Sequence, residues 1–206
     1  MGGTVTSKVP FVLAGCALLI AAALANAGSS RGEPTGAGIS TSYRDRPPLA
    51  HTGGFGEPTC AACHAGTALN GGGGTVEIRG LPKHYRGDSS YTIVVTIVQT
   101  EMIYAGFELS LRDSLGKRLG KLSTSNPAVL VSSSEAGVQY AYHSRLGTTH
   151  LYPDTARWAV TWTAPDDPSG PAVLNVAINA ANGDNSEFGD AIYVVERVAL
   201  PARTHK

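Results

Sequence analysis

From Thr75 onward the chain is a succession of short runs rich in β-branched and aromatic residues, each closed by a turn signal. Thr75-Val76-Glu77-Ile78-Arg79 alternates apolar and polar residues, and Gly80 stops it. Residues 91–99, 106–111, 128–131, 138–142, 157–163, 172–178 and 191–198 are runs of the same kind. Arg86-Gly87-Asp88, the stretch Asp166-Asp167-Pro168-Ser169-Gly170-Pro171, and Asn182-Gly183-Asp184 supply turns between them. Seven or eight short strands at this spacing, with no helical period and no internal repeat, predict an all-β antiparallel sandwich over residues 75–198. Trp158 and Trp162 share the parity of Val160, so all three point to one face as core anchors.

Upstream the character changes. Residues 51–74 are glycine-rich, ending in Gly71-Gly72-Gly73-Gly74, with too few large apolar residues for a core of their own. That segment must wrap against something larger. Residues 28–50, rich in Gly, Ser, Thr, Arg and Pro, read as a flexible tether. Residues 1–27 read as an export signal: Lys8, then an apolar run of about 16 residues, then Ala25-Asn26-Ala27 as a small-x-small cleavage site before Gly28. The run is shorter than the ~20 residues of a membrane-spanning helix. Leu13-Ala14-Gly15-Cys16 resembles a lipobox, but the long apolar run follows Cys16 instead of preceding it. The expected location is periplasmic or extracellular. Residues 199–206 read as a tail.

Removal of Cys16 leaves Cys60 and Cys63. A bridge between cysteines three positions apart closes too short a loop to staple a domain of this size, so their role is local chemistry. Cys60-Ala61-Ala62-Cys63-His64 has the spacing of covalent haem attachment. Two thiols add across the vinyl groups along one porphyrin edge, and the histidine that follows directly lies beneath the ring as the proximal iron ligand. A thioredoxin-like redox pair would open a helix after a strand in an α/β pattern, which this chain lacks. A structural zinc site would need four ligands, and no second cysteine pair exists. The expectation is one covalent haem c, held by Cys60, Cys63 and His64, in a haem-binding loop segment N-terminal to the sandwich.

The run His51-Thr52-Gly53-Gly54-Phe55-Gly56-Glu57-Pro58-Thr59-Cys60-Ala61-Ala62-Cys63-His64 resembles the start of an exported bacterial family, the choice-of-anchor V domain proteins. These join a CxxCH segment to a reelin-like, immunoglobulin-type sandwich. Tyr85-Arg86-Gly87, Ala105-Gly106-Phe107-Glu108-Leu109, Val138-Gln139-Tyr140-Ala141-Tyr142-His143, Trp162-Thr163-Ala164-Pro165 and Asn179-Ala180-Ala181-Asn182-Gly183-Asp184 follow in the family's order, running to Gly189-Asp190. The resemblance covers roughly residues 51–196. It implies an immunoglobulin-like (reelin-like) fold and haem attachment, without a biochemical role. Many relatives carry a C-terminal anchoring segment. Here Pro201-Ala202-Arg203-Thr204-His205-Lys206 follows the last strand, and no surface anchor is implied.

An electron-transfer haem iron usually takes a sixth ligand, His or Met. His143 ends a strand-like run before Ser144-Arg145-Leu146-Gly147, and the resemblance also places a histidine there. It is the first candidate; Met102 is the alternative. His51 could fold back over the ring, but reads more simply as a solvent-facing loop residue. His84 and His150 read as surface residues, and His205 lies in the tail. Asp184, Asn185, Glu187 and Asp190 do not follow the alternating spacing of a calcium loop and read as an ordinary turn. Some of Tyr85, Tyr91, Tyr104, Tyr140, Tyr142 and Tyr152 could line a haem edge, although half-buried strands favour tyrosine in any case.

The charge balance is even, with 16 Lys and Arg against 16 Asp and Glu. A nucleic-acid partner, which would demand a basic excess, is not expected, and neither is a polybasic membrane-surface motif. No Ser–His–Asp arrangement can be argued from spacing, so an enzyme is not expected. Two roles stay open: an electron-transfer module with an unidentified redox partner, or an extracellular binding module in which the haem is a staple or sensor.

Overall fold

The structure is a computed structural model that describes residues 45–149 and 152–203. The expected signal segment, Cys16, most of the tether, His150 and His205 lie outside the described residues.

Among the described residues the strands form two facing sheets. The larger contains β1 (Ala65–Gly66), β3 (His84–Tyr85), β5 (Tyr104–Arg112), β7 (Val129–Ser133), β8 (Gln139–His143), β10 (Ala172–Ala181) and β11 (Phe188–Pro201). Its order is β1-β11-β10-β5-β8-β7, with β3 also beside β11. The smaller contains β2 (Thr75–Arg79), β4 (Ser90–Val98), β6 (Lys121–Ser123) and β9 (Thr155–Thr163), in the order β2-β4-β9-β6. All pairings are antiparallel except β1 with β11 and β3 with β11. The all-β sandwich expected from the run spacing is the observed architecture.

The core follows from strand alternation. Ile93, Val95 and Ile97 of β4 and Trp158, Val160 and Trp162 of β9 face Phe107, Leu109 and Leu111 of β5 and Leu174, Val176 and Ile178 of β10. Each such side chain contributes ~1.5–3 kcal/mol by leaving water. The two tryptophans anchor this core as their shared parity predicts. Phe107 stacks on Trp158 at 4.6 Å, and Tyr85 meets Trp162 edge-on at 5.2 Å. The indole N–H of Trp158 donates to the carbonyl of Gly147, and that of Trp162 to the carbonyl of Leu119.

The second face of the larger sheet is also covered. Glu108, Ser110 and Arg112 of β5 point away from the core, yet all three are buried. Asn175 and Asn179 of β10 and Asp190 of β11 are buried as well. A third layer, residues 45–70, lies over them. Leu49 and Ala50 pack on Val138, Tyr140 and Tyr142 of the β8 region. The main-chain N–H groups of Ala50 and His51 donate to the two oxygens of Glu108, at 3.1 and 2.6 Å. Leu49 and Ala50, expected as tether, are therefore bound to the sheet: both pack on it, and Glu108 accepts from the Ala50 N–H. No helix among the described residues is long and apolar enough to cross a membrane.

Candidate functional site

The third layer delivers Cys60-Ala61-Ala62-Cys63-His64 to one end of the larger sheet. Two devices place it. The first is a buried polar cluster beneath residues 52–57. Arg112 Nη2 lies 2.7 Å from Glu57 Oε2 and also donates to the hydroxyls of Thr52 and Ser110. Tyr140 donates to Glu57 Oε1, and Thr52 donates to Glu57 Oε2. Burial pushes the Glu57 carboxyl up, but hydrogen bonds from Arg112, Thr52 and Tyr140 outweigh it and leave the group below its ordinary value. The second device is β1. Ala65 N–H donates to the Glu187 carbonyl at 2.7 Å, and Gly66 lies against Asp190. A Cβ at Gly66 would sit 1.9 Å from the Asp190 carbonyl oxygen, so only glycine permits this approach.

Between these anchors Cys60–Ala62 forms a single 3-10 turn. Thr59 caps it by accepting from Ala61 N–H at 3.1 Å. Cys60 is half-buried and Cys63 exposed, both as free thiols. The Cys60 thiol is pushed up to about 12, by desolvation first and by the nearby Glu108 carboxyl second. Reactive CxxC pairs work through depressed thiols, so this environment runs against the redox-disulfide alternative.

His64 is the best-defined group of the motif. Its Nδ1 lies 2.7 Å from Oδ2 of Asp190, a carboxylate only 1% exposed. Asn179 Nδ2 donates to the same oxygen at 3.0 Å, and Asn182 N–H donates to Oδ1 at 3.2 Å. A carboxylate at Nδ1 holds the proton there and leaves the lone pair on Nε2, the arrangement of a metal-ligating histidine.

Cys60, Cys63, His64, Asp190, Asn179, Glu108, His143 and His51 line one cleft of about 310 Å³, within the ~300–1,000 Å³ range of cofactor and small-molecule sites. Tyr104, Ala105, Phe107, Ala181, Pro47 and Pro48 give it apolar walls. His143, the last residue of β8, is 8% exposed. Its Nδ1 lies 3.0 Å from the Phe107 main-chain N and 3.2 Å from the Phe107 carbonyl oxygen. The β5–β8 ladder pairs Glu108 with Tyr142 and goes no further; the imidazole takes over at the next position. The Phe107 N–H donates to Nδ1, which then carries no proton; in the other tautomer Nδ1 donates to the Phe107 carbonyl and the lone pair lies on Nε2. Gly106 makes the room: a Cβ there would lie 2.7 Å from His143 Cε1.

The other candidates are placed as follows. Met102 is buried in the main core and is not a lining residue of the cleft. His51, expected to face solvent, instead lines the cleft with Nδ1 3.0 Å from the Leu49 carbonyl, because Glu108 holds its backbone down. His84 is exposed in β3. Tyr104 is the tyrosine that reaches the cleft wall. Asp190, read as a turn residue, is the partner of His64, and Asn179 joins it. Their partnership spans 126 residues of sequence, so no local spacing signals it. Among the described residues no three His, Cys, Asp or Glu converge as a metal-holding group. Haem iron needs one or two axial ligands from protein, the porphyrin supplying the rest. The donors here, two thiols beside one imidazole with a fixed tautomer and a second imidazole in the same cleft, fit that requirement.

No family model matches the chain, and no curated protein matches it. Several solved structures are similar. The human F-spondin reeler domain (fragment 1) has 16% identity and a TM-score of 0.43, over 68% of this chain and 92% of that one. The Reelin-N domain of F-spondin has 17% identity and a TM-score of 0.45, over 70% and 96%. A cohesin module from a Clostridium perfringens family 33 glycoside hydrolase has 13% identity and a TM-score of 0.41, over 62% and 94%.

Proposed function

We infer that this chain is an exported monohaem c-type cytochrome domain that works in electron transfer, with haem c bound covalently through Cys60 and Cys63. The observation that carries this reading is the meeting of Cys60, Cys63, His64 and His143 in one cleft, with His64 held by a buried carboxylate. When bound, the haem supplies one-electron chemistry at iron.

The chain's own residues attach, orient and insulate. Cys60 and Cys63 tether the ring edge along the third layer. Asp190 and Asn179 hold Nδ1 of His64, which leaves Nε2 to meet the iron in this reading. His143 is the distal ligand in this reading, braced by the Phe107 main chain, while Phe107 and Ala105 also tie that wall to the core. Such bracing keeps both ligands in place between oxidation states, which lowers reorganisation. The Glu57–Arg112 cluster anchors the turn over residues 53–57 that leads into the motif.

The role is tested on protein produced with haem-attachment machinery. The expected result is a six-coordinate, low-spin spectrum in both oxidation states and a reversible one-electron cycle. A five-coordinate haem that binds carbon monoxide without any mutation would instead favour a sensing module and set the electron-transfer role aside.

A further inference from the structure

Two carboxyl groups line the cleft, and they differ in the groups that meet them. Glu108 is 1% exposed, and its carboxyl is pushed up to about 8, by desolvation first, although the N–H groups of His51 and Ala50 pull it down. At neutral pH it is mainly the uncharged acid. Asp190 is equally buried but is met by three donor groups: His64 Nδ1, Asn179 Nδ2 and Asn182 N–H. Two of these, His64 and Asn179, share the single oxygen Oδ2.

We propose that Asp190, with Asn179, is the residue pair that sets the reduction potential of this site, by placing a buried carboxylate on the proximal imidazole. The proposal rests on haem attachment through His64. A neutral carbonyl at Nδ1 orients a ligating imidazole and raises its basicity to a smaller degree. A carboxylate at 2.7 Å also draws the Nδ1 proton toward itself and makes Nε2 a stronger donor. The charge sits where solvent does not screen it. Oxidation adds one positive charge at iron, so both effects favour the ferric state and lower the potential. Asn179 works in the opposite sense. Its N–H bond to Oδ2 takes up part of the negative charge that would otherwise act on His64. Asp190 and Asn179 are positioning and tuning residues, since they act through the ligand.

Spectroelectrochemical titration of the haem-loaded protein tests this. Asp190→Asn keeps the shape and removes the charge. The expected result is unchanged covalent haem content with a raised potential. At fixed applied potential the ferric-to-ferrous ratio should fall, each factor of ten in that fall being ~59 mV of raised potential for one electron. Asp190→Glu, which keeps the charge, should stay closer to the parent protein than Asp190→Asn does. An Asp190→Asn protein that carries haem at the parent's potential overturns the proposal and leaves the cytochrome reading intact. If Asp190→Asn does not load haem, Asn179→Ala decides: a lowered potential supports the pair, and an unchanged or raised one overturns it. Parent protein that takes no covalent haem overturns both readings together.

Discussion

At the scale of single residues, the cleft is built by exchanging ordinary strand contacts for specific ones. Gly106 exists where it does because His143 occupies the space of a side chain. Gly106→Ala should displace the imidazole and convert a low-spin spectrum toward high spin, while a distal His143→Ala should do the same and admit carbon monoxide to the reduced form. If both variants stay low-spin and His51→Ala becomes high-spin, the distal ligand is His51. Glu108 makes a separate prediction. Its carboxyl titrates near its ordinary value in the unfolded chain and at about 8 in the folded one, raised first by desolvation. The folded state therefore holds the proton more tightly. The stabilisation is fully present below the unfolded value of 4.5 and is lost as pH rises through about 8. Denaturant titrations from pH 4 to 9 should show that decline, on the order of a few kcal/mol, and Glu108→Gln should flatten it. An equal decline in Glu108→Gln would place its origin elsewhere.

At the scale of elements, the feature that matters is the covered outer face of the larger sheet. Arg112 and Glu57 form its buried ion pair, with side chains 4% and 13% exposed. Removing one partner leaves a charge without its counter-charge, a loss of about 3–5 kcal/mol where a pair is fully buried. Arg112→Met should thus release residues 45–64 first: hydrogen exchange there should accelerate while β4, β5, β9 and β10 stay protected. Uniform acceleration across the sandwich would mean that the third layer and the sheets unfold as one unit. The main strands were legible because their β-branched runs stop at Gly, Pro and Asn-Gly signals; β2 was predicted with its observed ends, Thr75 and Arg79. The short strands β1, β3 and β6 were not, since two or three residues such as Ala65–Gly66 carry no period. Nor was the third layer's grip on the sheet. No local pattern marks Glu108, Ser110 and Arg112 as covered, and only the fold brings Ala50, Thr52 and Glu57 over them. The candidate site was legible where its chemistry is contiguous, in Cys60, Cys63 and His64, and at His143 through its strand end. Asp190 and Asn179 were hidden because their partner lies more than a hundred residues away.

At the scale of the whole molecule, the sandwich works as a wall on which a weakly apolar segment is laid. The residues 51–74 expected to need support receive it from β5, β8, β10 and β11. Covalent attachment suits that arrangement, because Cys63, which lines the cleft, is exposed, and a ring held by ligands alone could leave. Covalent haem at Cys60 and Cys63 is the central claim, and the mass of the protein after denaturation tests it most directly. Produced with haem-attachment machinery, the mature chain should carry the added mass of one haem after denaturation, and Cys60→Ala with Cys63→Ala should abolish it. A denatured parent chain with the mass of the bare polypeptide would contradict it.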